Sequence, residues 1–423
     1  MKSFQNAHSI ILIFMVCFFI FWSSVSTQSM QGQYINMEIA YLIFLCLIAA
    51  SYRIYKHFIF SSEDMFFCLY LILVTIGIFL CKDKHRAFTV YKAFAPILGL
   101  AYFIGKTIAL KDLKIVRYII FAIAMCVFIV SIAGFSEILF KKSAIFFIKN
   151  NPFFKIHPIG ERMMSTLMHP SVLGSYFVIT LPACFFMMEK ENKKIIKIAG
   201  LFILVLGISA LFFTFSRGAW LGAIIAFFIC YWGRHKKFLL FLMICFAAFF
   251  YLSMIFSAPG YFIKATFSLE GIKEGLIAES RINYIQIMMQ MIKGHELFGI
   301  GLDHYRIFFN AYSTERIADI YRIPDNMYFT ILLETGILSF LSYIAFTAMV
   351  LRRGFTFMNK TKNSEQKNMM VVFIAGLTGF IIKMFTYDAF YWFAPIVFFG
   401  LYMGLCSGLS LEEATSQNKN LSS

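Results

Sequence analysis

The chain has 423 residues, 60% hydrophobic, 19% aromatic and only 14% charged, with a formal net charge of +16. Apolar runs of about 20 residues recur along its length, which excludes an ordinary soluble domain and predicts an all-α polytopic membrane protein. The basic residues gather in short loops between those runs, as cytoplasmic loops do, so the charge does not point to nucleic acid.

In chain order, spans are expected near residues 9–26, 35–52, 65–81, 88–105, 116–135 and 171–188. Six more fall near 195–215, 218–232, 238–257, 327–351, 369–387 and 390–408, giving about twelve transmembrane helices. The first run, Ile10 to Trp22, lacks a strongly charged start and a small-x-small cleavage site, and is expected to be a retained helix. The eighth is short enough to be partly re-entrant. The chain thus divides into nine transmembrane helices in 1–257, an extracytoplasmic loop subdomain in 258–325, three more helices in 326–410 and a cytoplasmic tail in 411–423. Nine cysteines lie in apolar spans without metal-ligand spacing and none in the long loop, so they are expected to act as small buried hydrophobes, with no metal site.

With both termini inside, the loops bearing Arg53 and Lys56, Lys106 and Arg117, Lys190 and Lys194, Arg234 and Lys237, and Arg352 and Lys367 are all cytoplasmic. The 258–325 loop, the 135–170 loop and the Ser216-Arg217 turn are then outside. The first of these is far longer than a connection needs, which makes it a functional candidate. Within it, Ile282, Ile285, Met289 and Ile292 share one helical face between Glu279 and Lys293, and Gly294 supplies a stop. Gly299-Ile300-Gly301 predicts a tight turn, and Ser313-Thr314-Glu315 a second short helix before Pro324. One external loop breaks the charge rule: Lys82, Lys84 and Arg86, with Lys92 two turns into the next helix. An anionic ligand at that face would explain it; so would snorkelling side chains or a misplaced helix.

Arg217 sits at the external junction of two apolar spans, where a guanidinium needs a partner: an ion pair, the headgroup layer, or the oxygens of a lipid diphosphate. Arg281 is a second candidate cation, or a solvated charge beside Glu279 or Glu274. His169, before Pro170, is either a helix start or a sugar-binding imidazole. Asp325, before Asn326 and the tenth span, is either an N-cap or a base; His304 is the other nearby base candidate and His295 a weaker one. The intramembrane charges Glu38, Glu334 and Lys383 form no evident pair.

These pieces together resemble the O-antigen ligase and polymerase superfamily of bacterial surface-polysaccharide assembly. The matching blocks are His169-Pro170-Ser171 through Leu181-Pro182, Ser216-Arg217-Gly218-Ala219, Arg281 with Gly299-Ile300-Gly301-Leu302, and Asn326-Met327-Tyr328 through Leu333-Glu334-Thr335-Gly336-Ile337-Leu338. The resemblance implies a glycosyltransferase of the GT-C type in the bacterial cytoplasmic (inner) membrane, with its active site facing the periplasm. It would move a glycan from a polyprenyl diphosphate to an acceptor sugar, with no nucleotide sugar, metal or other cofactor. Carried onto this sequence, Arg217 is the first diphosphate ligand and Arg281 the second, with the Lys82 to Arg86 cluster contributing. Ligases of the family have a histidine where this chain has Asp325, whose carboxylate can still accept a proton. The resemblance favours a ligase of lipopolysaccharide biosynthesis, with lipid A-core sugar as acceptor. A polymerase, with another lipid-linked repeat unit as acceptor, is the alternative. A transporter or flippase of the same lipid is the reading from another class, against which stands the position of the charges at the outer boundary.

Overall fold

The computed structural model describes residues 16–24, 59–140, 162–167, 169–190, 193–231, 279–312 and 326–422. These are helical almost throughout, with residues 16–24 forming a first short helical stretch. Then follow α1 (Ser62–Leu80), α2 (Lys84–Lys111), α3 (Leu113–Phe140), α4 (Pro170–Glu189), α5 (Lys194–Phe213) and α6 (Arg217–Tyr231). After them come α7 (Glu279–Ile292), α8 (Tyr305–Tyr312), α9 (Met327–Lys360), α10 (Ser364–Lys383) and α11 (Phe393–Ser422). Among the described residues, eight helices are long and apolar enough to cross a membrane, namely α1 to α5 and α9 to α11; α6 is apolar but shorter, at 15 residues. Nine of the expected spans coincide with these helices. Those at 35–52 and 238–257 lie outside the described residues, as does part of 9–26, so what stands is an all-α polytopic membrane protein with eight such helices.

Large apolar side chains face outward along single stripes, such as Ile195, Ile198, Phe202 and Val205 on α5, and a surface of that kind suits lipid. Inside, small residues let helices approach closely. A Cβ on Gly222 of α6 would lie 2.5 Å from the Gly379 carbonyl of α10, and one on Gly379 would lie 2.5 Å from the Gly222 carbonyl. This reciprocal fit sets α6 against α10 without help from polar groups. Gly400, Gly404 and Gly408 do the same for α11 against α2. Seven cysteines fall among the described residues, all free and at least partly buried.

The helix ends sort into two groups. At one end, Lys106 of α2 and Asp64 of α1, both fully buried, form an ion pair. Lys106 Nζ also donates to Ser61 Oγ at 2.6 Å, and Tyr102 donates to Asp64 at 2.6 Å. Beside them Arg353 of α9 pairs with buried Glu63 at 2.6 Å, and Ser407 of α11 donates to the same carboxylate at 2.7 Å. At the other end lie the turns at 81–83, 214–216, 293–304 and 384–392.

The loop helix α7 forms where expected; of its expected apolar face Ile292 packs on a buried cluster, and the side chains of Ile282 and Ile285 lie outside those described. Ile287, Met288 and Met291 are buried against Ile300, Tyr305, Phe309 and Leu333, whereas Met289 is exposed. The outward face of α7 is also partly apolar, so apolar spacing alone does not say which stripe packs. Gly294 does stop the helix, at φ 81°. The expected helix at Ser313-Thr314-Glu315 lies outside the described residues; the short helix the structure contains, α8, comes before it.

Candidate functional site

The second group of turns is held together by a break in α9. Gly336 has φ 79° and ψ 172°, which interrupts the helical ladder, and its missing Cβ leaves room for the Leu297 carbonyl. The groups freed by the break are satisfied by the long loop: Ile300 N–H donates to Leu333 O at 2.9 Å, Gly301 N–H to Glu334 O at 3.0 Å, and Ile337 N–H to Glu296 O at 2.8 Å. Two sequence blocks far apart in the chain, Gly299 to Leu302 and Leu333 to Leu338, are thus one structural joint.

Glu334 is buried at this joint and is not a bare charge. Tyr305 N–H donates to its Oε1 at 3.2 Å and the Tyr391 hydroxyl donates to Oε2. Tyr391 in turn accepts from Asp303 N–H at 3.2 Å. The cavity beside Glu334, Thr330 and Tyr391 measures only about 20 Å³, enough for a water and too small for a sugar.

The basic turn before α2 locks onto the same loop. Arg86 Nε donates to Asp303 Oδ2 at 2.8 Å and to Asp303 O at 2.9 Å, and Asp303 holds φ 58°. Asp83 caps α2, and its N–H donates to His304 Nε2 at 3.1 Å. Nε2 therefore accepts, which leaves the proton on Nδ1, 2.9 Å from Leu302 O. His304 is 1% exposed with both ring nitrogens engaged. Lys82, Lys84 and Lys92 are exposed on this same turn and helix. The basic turn is thus at the end of the molecule where the alternation of spans puts it.

Arg217 opens α6 at the neighbouring turn. The α5–α6 hairpin is closed by Trp220, whose indole N–H donates to Leu211 O at 3.2 Å and whose ring stacks on Phe212 with centroids 5.2 Å apart. Gly218 abuts Thr386, which brings the first turn of α6 against the segment after α10. Arg217 is exposed and makes no ion pair among the described residues.

The segment 384–392 is the hub of this end; the expected spans 369–387 and 390–408 take most of it as helix, whereas the structure ends α10 at Lys383 and begins α11 at Phe393. Thr386 touches the α6 start and accepts from Lys383 Nζ at 3.2 Å, while that ammonium lies 5.1 Å from the Tyr387 ring centre. Phe385 packs on Tyr328, with ring centres 4.4 Å apart, and Tyr328 donates to Ile381 O at 2.9 Å. Tyr387 and Trp392 flank His169, at 5.1 and 5.6 Å between ring centres. Tyr391 reaches the Glu334 joint. Asp388 is fully buried, and burial pushes its carboxyl up to about 7, against which Thr330 and the Phe390 N–H favour its charge.

His169 caps α4: its Nδ1 accepts from Ser171 N–H at 3.2 Å, with Pro170 in the first turn. The cap of α9 is Asn326, whose side chain accepts from Tyr328 N–H at 2.9 Å and Phe329 N–H at 3.2 Å. The capping role weighed for Asp325 thus belongs to its neighbour; Asp325 itself lies outside the described residues, as does the side chain of Arg281 on α7. The structure accordingly gathers Arg217, His169 and Asn326 around the 384–392 segment, and Arg86, His304 and Glu334 around the loop joint that Tyr391 links to it. A further cation at this end, which no motif in the 135–170 loop marks, is Arg162, whose Nε donates to Thr214 O at 3.0 Å three residues before Arg217.

A comparison with protein families matches residues 202–344 to the family model Wzy_C, described as O-antigen ligase. The matched stretch contains Arg217, Arg281, the Gly299 to Leu302 and Leu333 to Leu338 joint, Asp325 and Asn326; the Lys82 to Lys92 cluster, His169 and the 384–392 hub lie beyond it. No curated protein matches the chain.

Proposed function

Residues 202–344 carry the signature of the O-antigen ligase superfamily, and from that premise we propose that the protein transfers a glycan from a polyprenyl-diphosphate carrier to an acceptor sugar. The site faces the periplasm from the inner membrane, in a chain of GT-C character whose 258–325 loop covers the reacting groups. The acceptor is lipid A-core sugar. The observation that carries this reading is Arg217: an exposed guanidinium opening the apolar helix α6, with no carboxylate partner among the described residues, in a turn that packs on Thr386.

The chemistry needs two things. The acceptor oxygen attacks the anomeric carbon as the bond to the diphosphate breaks, and the electron pair leaves on phosphate oxygen. A planar guanidinium can meet that growing charge with two parallel N–H bonds, and the first N–H groups of α6 carry positive partial charge of their own. Arg281 is the second cation in this scheme, and Lys82, Lys84 and Lys92 draw the anionic lipid to this face. The acceptor's proton passes to a carboxylate, for which Asp325 is the candidate. His169 and Asn326 bind sugar only beyond the capping bonds they already make.

The test is reconstitution of the purified protein in vesicles with a polyprenyl-diphosphate-linked glycan and each acceptor in turn. Transfer to lipid A-core is expected. Transfer only to a second lipid-linked unit would make it a polymerase, and movement of donor across the bilayer without transfer would make it a flippase. Arg217→Lys is expected to lose roughly 10²-fold in transfer, because an ammonium keeps the charge and loses the planar fork.

A further inference from the structure

The turn that presents Arg217 brings two helix ends together. α5 ends at Phe213 and α6 begins at Arg217, with three residues between them. A helix C-terminus is negative and a helix N-terminus positive, so the two ends meeting at one turn oppose each other towards any anion bound there. Phe215, between them, sits at φ 50°, a conformation that costs a bulky residue and persists only where the surroundings fix it.

What fixes it comes from the strap at 162–167. Met163 N–H donates to Phe213 O at 2.9 Å, Arg162 Nε to Thr214 O at 3.0 Å, and Arg162 Nη2 to Phe215 O at 3.4 Å. Three successive carbonyls are covered, two of them by one guanidinium. The strap is pinned in turn on α3: Glu137 accepts from Ser165 N–H at 2.6 Å and Met164 N–H at 3.3 Å, and Ser165 Oγ donates to Val130 O at 2.6 Å. Burial lowers the Arg162 side chain only to about 10, so it is still charged at neutral pH.

We propose that Arg162 is a positioning residue for the diphosphate site: by bonding the carbonyls of Thr214 and Phe215 it fixes the turn from which Arg217 reaches the ligand. The proposal rests on the reading of Arg217 as a diphosphate ligand. It says that Arg162 acts through Arg217 and has little effect without it.

A double-mutant cycle tests this on the full-length purified protein, with farnesyl diphosphate as the probe and binding affinity as the readout. Arg162→Ala is expected to weaken binding about tenfold and Arg217→Ala about a hundredfold, while the double variant matches Arg217→Ala within about twofold. Binding by Arg162→Ala equal to the parent's, or a further tenfold loss in the double variant, overturns the positioning role. A general folding defect would lower affinity equally on both backgrounds, so the cycle separates the two. Should Arg162→Ala not fold, Arg162→Lys takes its place; it keeps the cation but not the fork, and about a threefold loss confined to the Arg217 background is expected. If Arg217→Ala binds the probe like the parent, the underlying diphosphate reading fails, an outcome distinct from failure of the cycle.

Discussion

The two ends of the bundle treat their charges in opposite ways. At the α1–α2 end, Lys106 and Arg353 each meet a buried carboxylate, with Tyr102, Ser61 and Ser407 completing the bonds. At the other end Arg86 is likewise held by Asp303, whereas Arg217 has no carboxylate among the described residues and Arg162 bonds only carbonyls there. Buried ions need partners and these have them, whereas the exposed Arg217 needs none to fold, which is what the proposed diphosphate role requires of it. The contrast separates charge that holds helices together from charge that the proposed function assigns to an anion.

Each half of that contrast can be broken separately. The largest effect is expected from Lys106→Met, which leaves Asp64 charged in the core without its cation; a stability loss of roughly 3–5 kcal/mol should appear as a lowered Tm, partly restored by adding Asp64→Asn. Arg217→Ala should do the reverse. Its Tm should stay near the parent's while transfer falls roughly 10²–10³-fold. A large fall in Tm would instead show that Arg217 is structural.

Asp388 sharpens the comparison through pH. Its carboxyl moves from an ordinary value of 3.8 up to about 7 on burial, so between those values the folded protein holds a proton that the unfolded chain has lost. Stability should therefore fall as pH rises from about 4 to about 7 and level off above, by about 2 kcal/mol in all once relaxation and water entry are allowed for. Asp388→Asn should flatten that slope in a Tm-against-pH series. The smallest effect is expected at Asn326: loss of its cap in Asn326→Ala should cost about 1 kcal/mol, with Asn326→Asp close to neutral. A transfer defect in Asn326→Ala much larger than its loss of stability would assign the side chain a role at the substrate.

Hydrophobic periodicity alone located α1 to α6 and α9 to α11, because an uninterrupted apolar run of that length has few other stable forms in a bilayer. The alternation of spans likewise put Arg217 and, against the charge rule, the Lys82 to Arg86 turn at the same end as the long loop. Which residues surround them was another matter. The joint of Gly299 to Gly301 with Leu333 to Ile337 depends on a helix break at Gly336 whose partners lie more than thirty residues away, and most of the 384–392 hub reads as the ends of two spans. On α7, Ile292 of the expected face packs on the buried cluster whereas Met289 is exposed, since both faces of that helix carry apolar residues. Local sequence determines where a helix can run and which end its charges favour, since those preferences are set residue by residue against lipid and water. Whether a given arginine is spent on a carboxylate, as Arg353 is on Glu63, or on carbonyls, as Arg162 is, depends on which distant segment packs beside it, and only the tertiary structure decides that.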